Sequence, residues 1–188
     1  MNSFDEAYHT YRIDGEPVPS VTQVLGDVLP GYQASEWHMQ RGTAMHACAA
    51  MVARGVEFSY DQQLDGRVAA LRAFFRAIPL KVQAVEQRLY SPTWRYAGTC
   101  DLVGELNGKR VVLDWKSTLT GAAKYQVAAY GQILRINYGL AVEIREDGMY
   151  RMSEVWNLAR AKSQWLALLS AYNIRRECGI KEGTETHE

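Results

Sequence analysis

Three kinds of scarcity mark this sequence, and each removes a class of protein. Cysteine is the first: Cys48, Cys100 and Cys178 are its only three, widely separated and without a CxxC spacing. That is one short of the four thiolates a zinc ribbon or a cubane cluster usually needs, so no iron–sulfur cluster is expected and reduced structural thiols in a cytoplasmic protein fit better. Long apolar runs are the second. Nothing approaches the roughly 18 consecutive apolar residues of a membrane span, and the opening MNSFDEAYHTYR is too acidic and polar for a signal peptide, so no membrane partner is expected. Charge of one sign is the third. Twenty-one Lys and Arg balance 21 Asp and Glu, so contact with a polyanion has to come from a local basic channel rather than a general positive field. GxxxxGK[ST] and GxSxG are missing too, which excludes P-loop ATP hydrolysis and the serine-hydrolase elbow, and no helicase motif occurs.

What remains is a chain of 188 residues, 47% of them apolar, sized for one α/β domain over 1–188 with a polar, frayed tail at 183–188. Neither internal repeats nor a linker interrupts it. YHTYRIDGEPVPS alternates around Asp14-Gly15 and predicts a β-hairpin. Ser20 and Gln23 have capping-box spacing for a short helix ending near Gly26, and Pro30-Gly31 breaks it. Residues 35–54, rich in Ala and Met, predict a well-buried helix capped by Gly55, and residues 64–78 a second one stopped by Pro79. The period then changes: VQAVEQRLYS, YAGTCDLVGEL and KRVVLDWKST read as a three-strand meander with a turn at Asn107-Gly108. Helical spacing returns over 122–138 and ends at Gly139. LAVEIRE and YRMSEVW form a hairpin about Asp147-Gly148, and residues 158–178 close the chain as a helix.

The chemistry concentrates in the meander. On a strand, Asp114 and Lys116 point to one face and Trp115 to the other, so a carboxylate and an ammonium reach one spot. Asp101 lies on the neighbouring antiparallel strand, near enough to share a cation with Asp114. Two close carboxylates repel, and a divalent cation with a taste for hard oxygen, magnesium or manganese, resolves the repulsion. Such an ion supplies the Lewis acidity that phosphodiester hydrolysis at neutral pH requires, while Lys116 orients an attacking water or offsets charge on the phosphorane. Taken alone, D-x-K is a common pattern, and an exposed cross-strand salt bridge is the better account of it.

Context separates the two readings. Gly98-Thr99-Cys100-Asp101, then Asp114-Trp115-Lys116, then Gln126-Val127-Ala128-Ala129-Tyr130 occur in order, preceded by Arg41-Gly42-Thr43-Ala44-Met45-His46 and by Glu86 in an apolar strand. This series resembles the RecB-like branch of the PD-(D/E)XK nuclease superfamily, whose signature runs R-G-x-x-x-H, a glutamate, G-x-x-D, D-Y-K and Q-x-x-x-Y. Residues 19–22 match a P-S-V-T segment frequent in the phage-type and mitochondrial exonucleases of that branch. The likeness spans about residues 9–135. Cys100 stands where the superfamily's proline would, as is usual in this branch, and Trp115 replaces the commoner tyrosine.

The resemblance implies a restriction-endonuclease-like α/β core, a central mixed β-sheet flanked by helices, with an N-terminal β-hairpin and helices. It implies a magnesium- or manganese-dependent deoxyribonuclease, an exonuclease on DNA ends or single strands in replication, recombination or repair, of the phage-encoded kind and then in the host cytoplasm. His46, Asp101 and Asp114 would hold metal. Asp101, Asp114, Lys116, Gln126, Tyr130 and Glu86 would form the catalytic set, with Arg41, Ser117 and Lys124 as nucleic-acid contacts. Trp37, Trp94, Tyr96 and Trp115 are candidate stacking residues, against core packing, which fits most of them better. DNA is the expected partner, delivered by a single-strand-binding or recombination protein. A non-catalytic nucleic-acid-binding or scaffold domain that kept the fold is the alternative.

Overall fold

The computed structural model describes residues 1–29 and 36–179, with side chains at 1–29 and 44–179. The break at Pro30-Gly31, the side chains of Trp37 and Arg41, and the tail at 183–188 therefore lie outside the described residues. The hairpin forms where alternation places it. Strands β2 (Thr10–Ile13) and β3 (Glu16–Val18) join through Asp14 and Gly15, at φ 54° and 86°. Two successive positive φ values suit a two-residue hairpin turn. A strand that the sequence did not announce, β1 (Ser3–Asp5), pairs with β2 and completes a three-stranded ribbon. Tyr11 and Ile13 face inward from it and Arg12 outward.

Helix α1 (Val21–Val28) begins with the expected capping box. The Gln23 N–H donates to Ser20 Oγ at 3.1 Å, and the Ser20 N–H to Gln23 Oε1 at 2.8 Å. It runs two residues past Gly26. Helix α2 (Glu36–Arg54) ends at Gly55, whose φ of +65° serves a left-handed cap. Helix α3 (Asp65–Ala77) buries Val68, Leu71 and Phe74 before Pro79.

The main sheet has six strands. Its path runs β4 (Leu80–Ser91), β5 (Tyr96–Leu106), β6 (Lys109–Lys116), β7 (Tyr138–Ile144) and β8 (Tyr150–Met152), and β9 (Trp156–Asn157) also pairs with β7. All neighbours are antiparallel except β6 and β7, which run parallel across the connecting helix α4 (Ala123–Leu134). Helix α5 (Ala159–Glu177) closes the fold. On one side of the sheet α1, α4 and α5 pack over Cys100, Val103 and Val112; on the other, α2 and α3 pack over Leu102, Leu113 and Trp115.

Helix α4 corrects one sequence expectation. It stops at Leu134, because Arg135 turns left-handed at φ 56° and the Ile136 N–H folds back onto the Gly131 carbonyl at 2.9 Å. Ile136 and Tyr138 continue helical spacing only by coincidence, since Tyr138 and Gly139 already belong to β7. Gly139 is needed for closeness: a Cβ there would lie 2.1 Å from Val127 Cγ1, where α4 presses on the strand.

One departure from a regular sheet positions everything that follows. β5 pairs with β6 only from Leu102↔Leu113 to Leu106↔Lys109, while β5 stays with β4 up to Ser91↔Tyr96 and β6 stays with β7 up to Lys116↔Glu143. The two central strands therefore part at Asp101 and Asp114. The freed edge of β5 is taken up by the segment before α1: the Ala97 N–H donates to the Pro19 carbonyl at 3.0 Å, and Ser20 bridges Ala97.

Candidate active site

Asp101 sits in the crotch of this fork and uses its two oxygens differently. The Trp115 N–H donates to Oδ2 at 2.8 Å, so a side chain replaces the strand partner that β6 loses there. Oδ1 faces His46 of α2, 3.0 Å from Nδ1. The pairs Val85↔Leu102 and Gln87↔Cys100 flank Glu86 and set it opposite Asp101. His46, Glu86 and Asp101 each offer a ligand atom, and these atoms all lie within 4.8 Å of one another.

Beside this group, on β6, stand Asp114 and Lys116. Asp114 is fully buried, with Lys116 Nζ 2.7 Å from its Oδ2. Lys116 Nζ also donates to Gln126 Oε1 at 2.7 Å, and Gln126 Nε2 reaches Tyr130 OH at 3.4 Å. Gln126 and Tyr130, four residues apart on α4, thus form the back of the lysine's seat. Gly98, the first residue of the G-x-x-D pattern, makes room for them: a Cβ there would meet Tyr130 Cε1 at 2.8 Å.

The electrostatics are those of a site with too much negative charge. Burial, reinforced by Asp101, raises the Glu86 carboxyl to about 7. Burial also lifts Asp114 to about 6, with Lys116 opposing and Asp101 assisting. For Asp101, burial works upward, but the His46 charge, its hydrogen bond and the Trp115 N–H hold the carboxyl below its usual value. Burial would lower the His46 imidazole, and the Asp101 pairing outweighs it and leaves the ring more basic than usual. Two buried oxygens, Glu86 Oε1 and Asp114 Oδ1, have no hydrogen-bond partner. A native fold rarely leaves such atoms orphaned, and a cation is a standard remedy. Carboxylates joined by one imidazole fit a divalent ion of the magnesium or manganese type.

Glu86 thus joins the donor group directly, while Asp114 stands at its side on Lys116. Ser117 is exposed immediately after Lys116, and Lys124 lies in the first turn of α4 with Nζ 5.9 Å from the Trp156 ring centroid. Two stacking candidates prove to be core. Trp115 packs edge-on against Phe74, and buried Tyr96 donates its hydroxyl to the Ala129 carbonyl. Trp94 remains exposed at the β4–β5 turn. The Trp115 N–H and the Pro19 carbonyl are structural parts of the fork that sequence reasoning missed, because a main-chain group leaves no signature in residue identity.

Among solved structures the chain is similar to an alkaline exonuclease from Laribacter hongkongensis, over 86% of this chain and 88% of that one, at TM-score 0.50 and 12% identity. The same exonuclease in complex with dAMP aligns at TM-score 0.49 and 13% identity, over 87% and 89% of the two chains. A phage-related exonuclease from Haemophilus somnus 129PT aligns at TM-score 0.40 and 10% identity, over 87% and 96%. No family model and no curated protein matches the sequence.

Proposed function

The chain has the fold of the PD-(D/E)XK nucleases, and on that premise we propose that it is a divalent-metal-dependent nuclease hydrolysing phosphodiester bonds in DNA. The observation that carries the reading is the fork itself. A cation-hungry donor group on β4, β5 and α2 stands beside a buried aspartate–lysine–glutamine chain on β6 and α4. Apart from the Trp115 N–H that Asp101 receives, neither half has an evident structural purpose that apolar residues would not serve better.

His46, Glu86 and Asp101 would hold magnesium or manganese, with Asp114 offering its unpartnered oxygen. When bound, such an ion supplies Lewis acidity toward a phosphoryl oxygen. The other work belongs to the chain's own groups. Lys116 places its ammonium at the tip of β6, where it offsets negative charge developing on the phosphoryl group or orients the attacking water. Gln126 is a positioning residue: its carbonyl oxygen fixes the ammonium, and Tyr130 fixes Gln126 in turn. Burial raises the Tyr130 hydroxyl well above its ordinary value, so it stays neutral and serves the network as a hydroxyl. The likeness to an alkaline exonuclease supports the exonuclease part of this reading, which we extend to DNA ends or single strands in replication, recombination or repair. Balanced net charge favours delivery of the substrate by a single-strand-binding or recombination protein.

The test is digestion of linear single- and double-stranded DNA with magnesium or manganese, beside Lys116→Ala. Wild-type protein is expected to cut only with metal, and the variant to lose about a hundredfold or more in rate. DNA left intact by the wild type with either metal would overturn the nuclease reading. Equal rates for the two proteins would remove Lys116 from it.

A further inference from the structure

The N-terminal ribbon forms one wall of a groove that the proposed chemistry touches only through Glu86. About 550 Å³ in volume, it is lined by Phe4, Glu6 and His9 from the ribbon and by Glu86, Arg88 and Thr99 from β4 and β5. The groove and the donor group share a floor. Arg88 pairs with Thr99 across the strands, and Glu86 and Asp101 lie two residues further along, about 7 Å at the usual rise of a strand. Glu86 belongs to both. A DNA strand with its reacting phosphate at the donor group has its neighbouring nucleotide within reach of the groove.

The lining suits a base better than a phosphate. Two carboxylates, Glu6 and Glu86, line it with one guanidinium, which disfavours an anion. Flat groups already pack in it: the Arg88 guanidinium lies over the Phe4 ring, 4.5 Å from its centroid, and His9 meets Phe4 edge to face at 5.1 Å. Arg88 also donates to Glu6 at 2.6 Å, an ion pair whose two side chains are largely exposed and which is therefore worth little and easily exchanged. The wall is anchored, since the hydroxyls of Tyr11 and Thr99 meet at 2.8 Å and tie the ribbon to β5.

We infer that this groove is a subsite for one nucleobase of the substrate strand, next to the scissile phosphate, where the base stacks with Phe4 and Arg88 and meets Glu6 and Thr99 at its polar edge. The inference rests on the nuclease reading and assigns the ribbon a part in holding DNA. Stacking of this kind is sequence-tolerant, which suits a nuclease that advances along a strand.

A single-stranded oligodeoxynucleotide carrying one abasic residue, scanned position by position, tests it with wild-type protein, Phe4→Leu and Arg88→Ala, after thermal melts establish that the variants fold. Loss of the base at one position beside the cut is expected to raise KM about tenfold in the wild type and little in Phe4→Leu, because the contact is already gone there. Phe4→Leu and Arg88→Ala should each raise KM more than they lower kcat. Unchanged KM in both variants overturns the subsite, as do abasic and Phe4→Leu effects that multiply independently. If the wild type cuts no DNA, the nuclease reading falls by itself. Fluorescence anisotropy with the same oligonucleotides then decides the groove: base-dependent affinity lost in Phe4→Leu supports it, and equal affinities overturn it.

Discussion

Glu86 is disfavoured twice over where it stands. Its backbone holds φ 53° in the middle of a strand, a conformation costing a residue with a side chain on the order of 1 kcal/mol, and its Oε1 is buried without a partner. Both burdens disappear in Glu86→Gly, whereas Glu86→Ala sheds only the carboxylate. The glycine variant should therefore melt above the alanine variant, by about 1 kcal/mol, in the metal-free protein, and neither should respond to manganese. Calorimetry with and without the ion checks this, and a metal shift retained in either variant would take Glu86 out of the donor group. The carboxyl's elevation to about 7 has its own consequence. A group with a higher pKa folded than unfolded binds protons better in the folded state, so its contribution to stability falls as pH rises from its unfolded value through about 7. Asp114, raised to about 6, acts in the same sense, and so does His46, whose raised pKa gives stability that is lost as pH climbs. Asp101 is depressed, and its stabilisation is lost only on acidification. A cation that takes the protons' place should stabilise the protein by roughly 5–10 °C at a hundredfold excess over its Kd near pH 8, and by less near pH 5. Equal manganese-induced shifts at the two pH values would count against these carboxylates as the ion's seat.

Among elements, β5 and α4 carry the arrangement, and they differ in how far residue identity announces them. The hairpin turns at Asp14-Gly15 and Asn107-Gly108, the capping box at Ser20 and the alternation that carries Asp114 and Lys116 to one face were all legible, because each is a local rule acting over a few residues. The order of motifs singled out Gln126 and Tyr130 without fixing what they would touch, and in the structure they stand behind the lysine. Less legible were features made by distant partners. Three-residue β1 is too short for a pattern, the end of α4 was masked by the continuing spacing of Ile136 and Tyr138, and nothing local marks where β5 and β6 part. The convergence of His46 and Glu86 on Asp101 follows from that parting. Gly98 tests the element-scale account. Gly98→Ala should push Tyr130 off the strand, cost about 1–3 kcal/mol, and lower kcat more than KM as Gln126 loosens its hold on Lys116. A variant with wild-type melting and wild-type kcat would show that α4 does not seat the lysine this way.

At the scale of the whole molecule, one sheet serves two large apolar cores and a small one under the ribbon, and the chain behaves as one cooperative unit if that sharing is tight. Leu71 on α3 and Leu158 at the start of α5 are both fully buried and lie on opposite sides. Leu71→Ala and Leu158→Ala should each cost about 2–5 kcal/mol and together sum to within about 0.5 kcal/mol, in a single unfolding transition seen alike by fluorescence and circular dichroism. Two separate transitions would mean that the faces fold independently. The fork through the centre of that sheet has a practical corollary. Asp101, proposed as a ligand, is also mortar, because its Oδ2 receives the Trp115 N–H that no strand neighbour takes. Alanine at 101 would leave a buried donor bare and spread the strands, so its inactivity would be silent about chemistry. An asparagine can turn its amide oxygen to the same N–H and keep the architecture while dropping the charge. Anyone wishing to trap this protein with its substrate intact should choose that carboxamide, or disarm Lys116, and leave the sheet sewn shut.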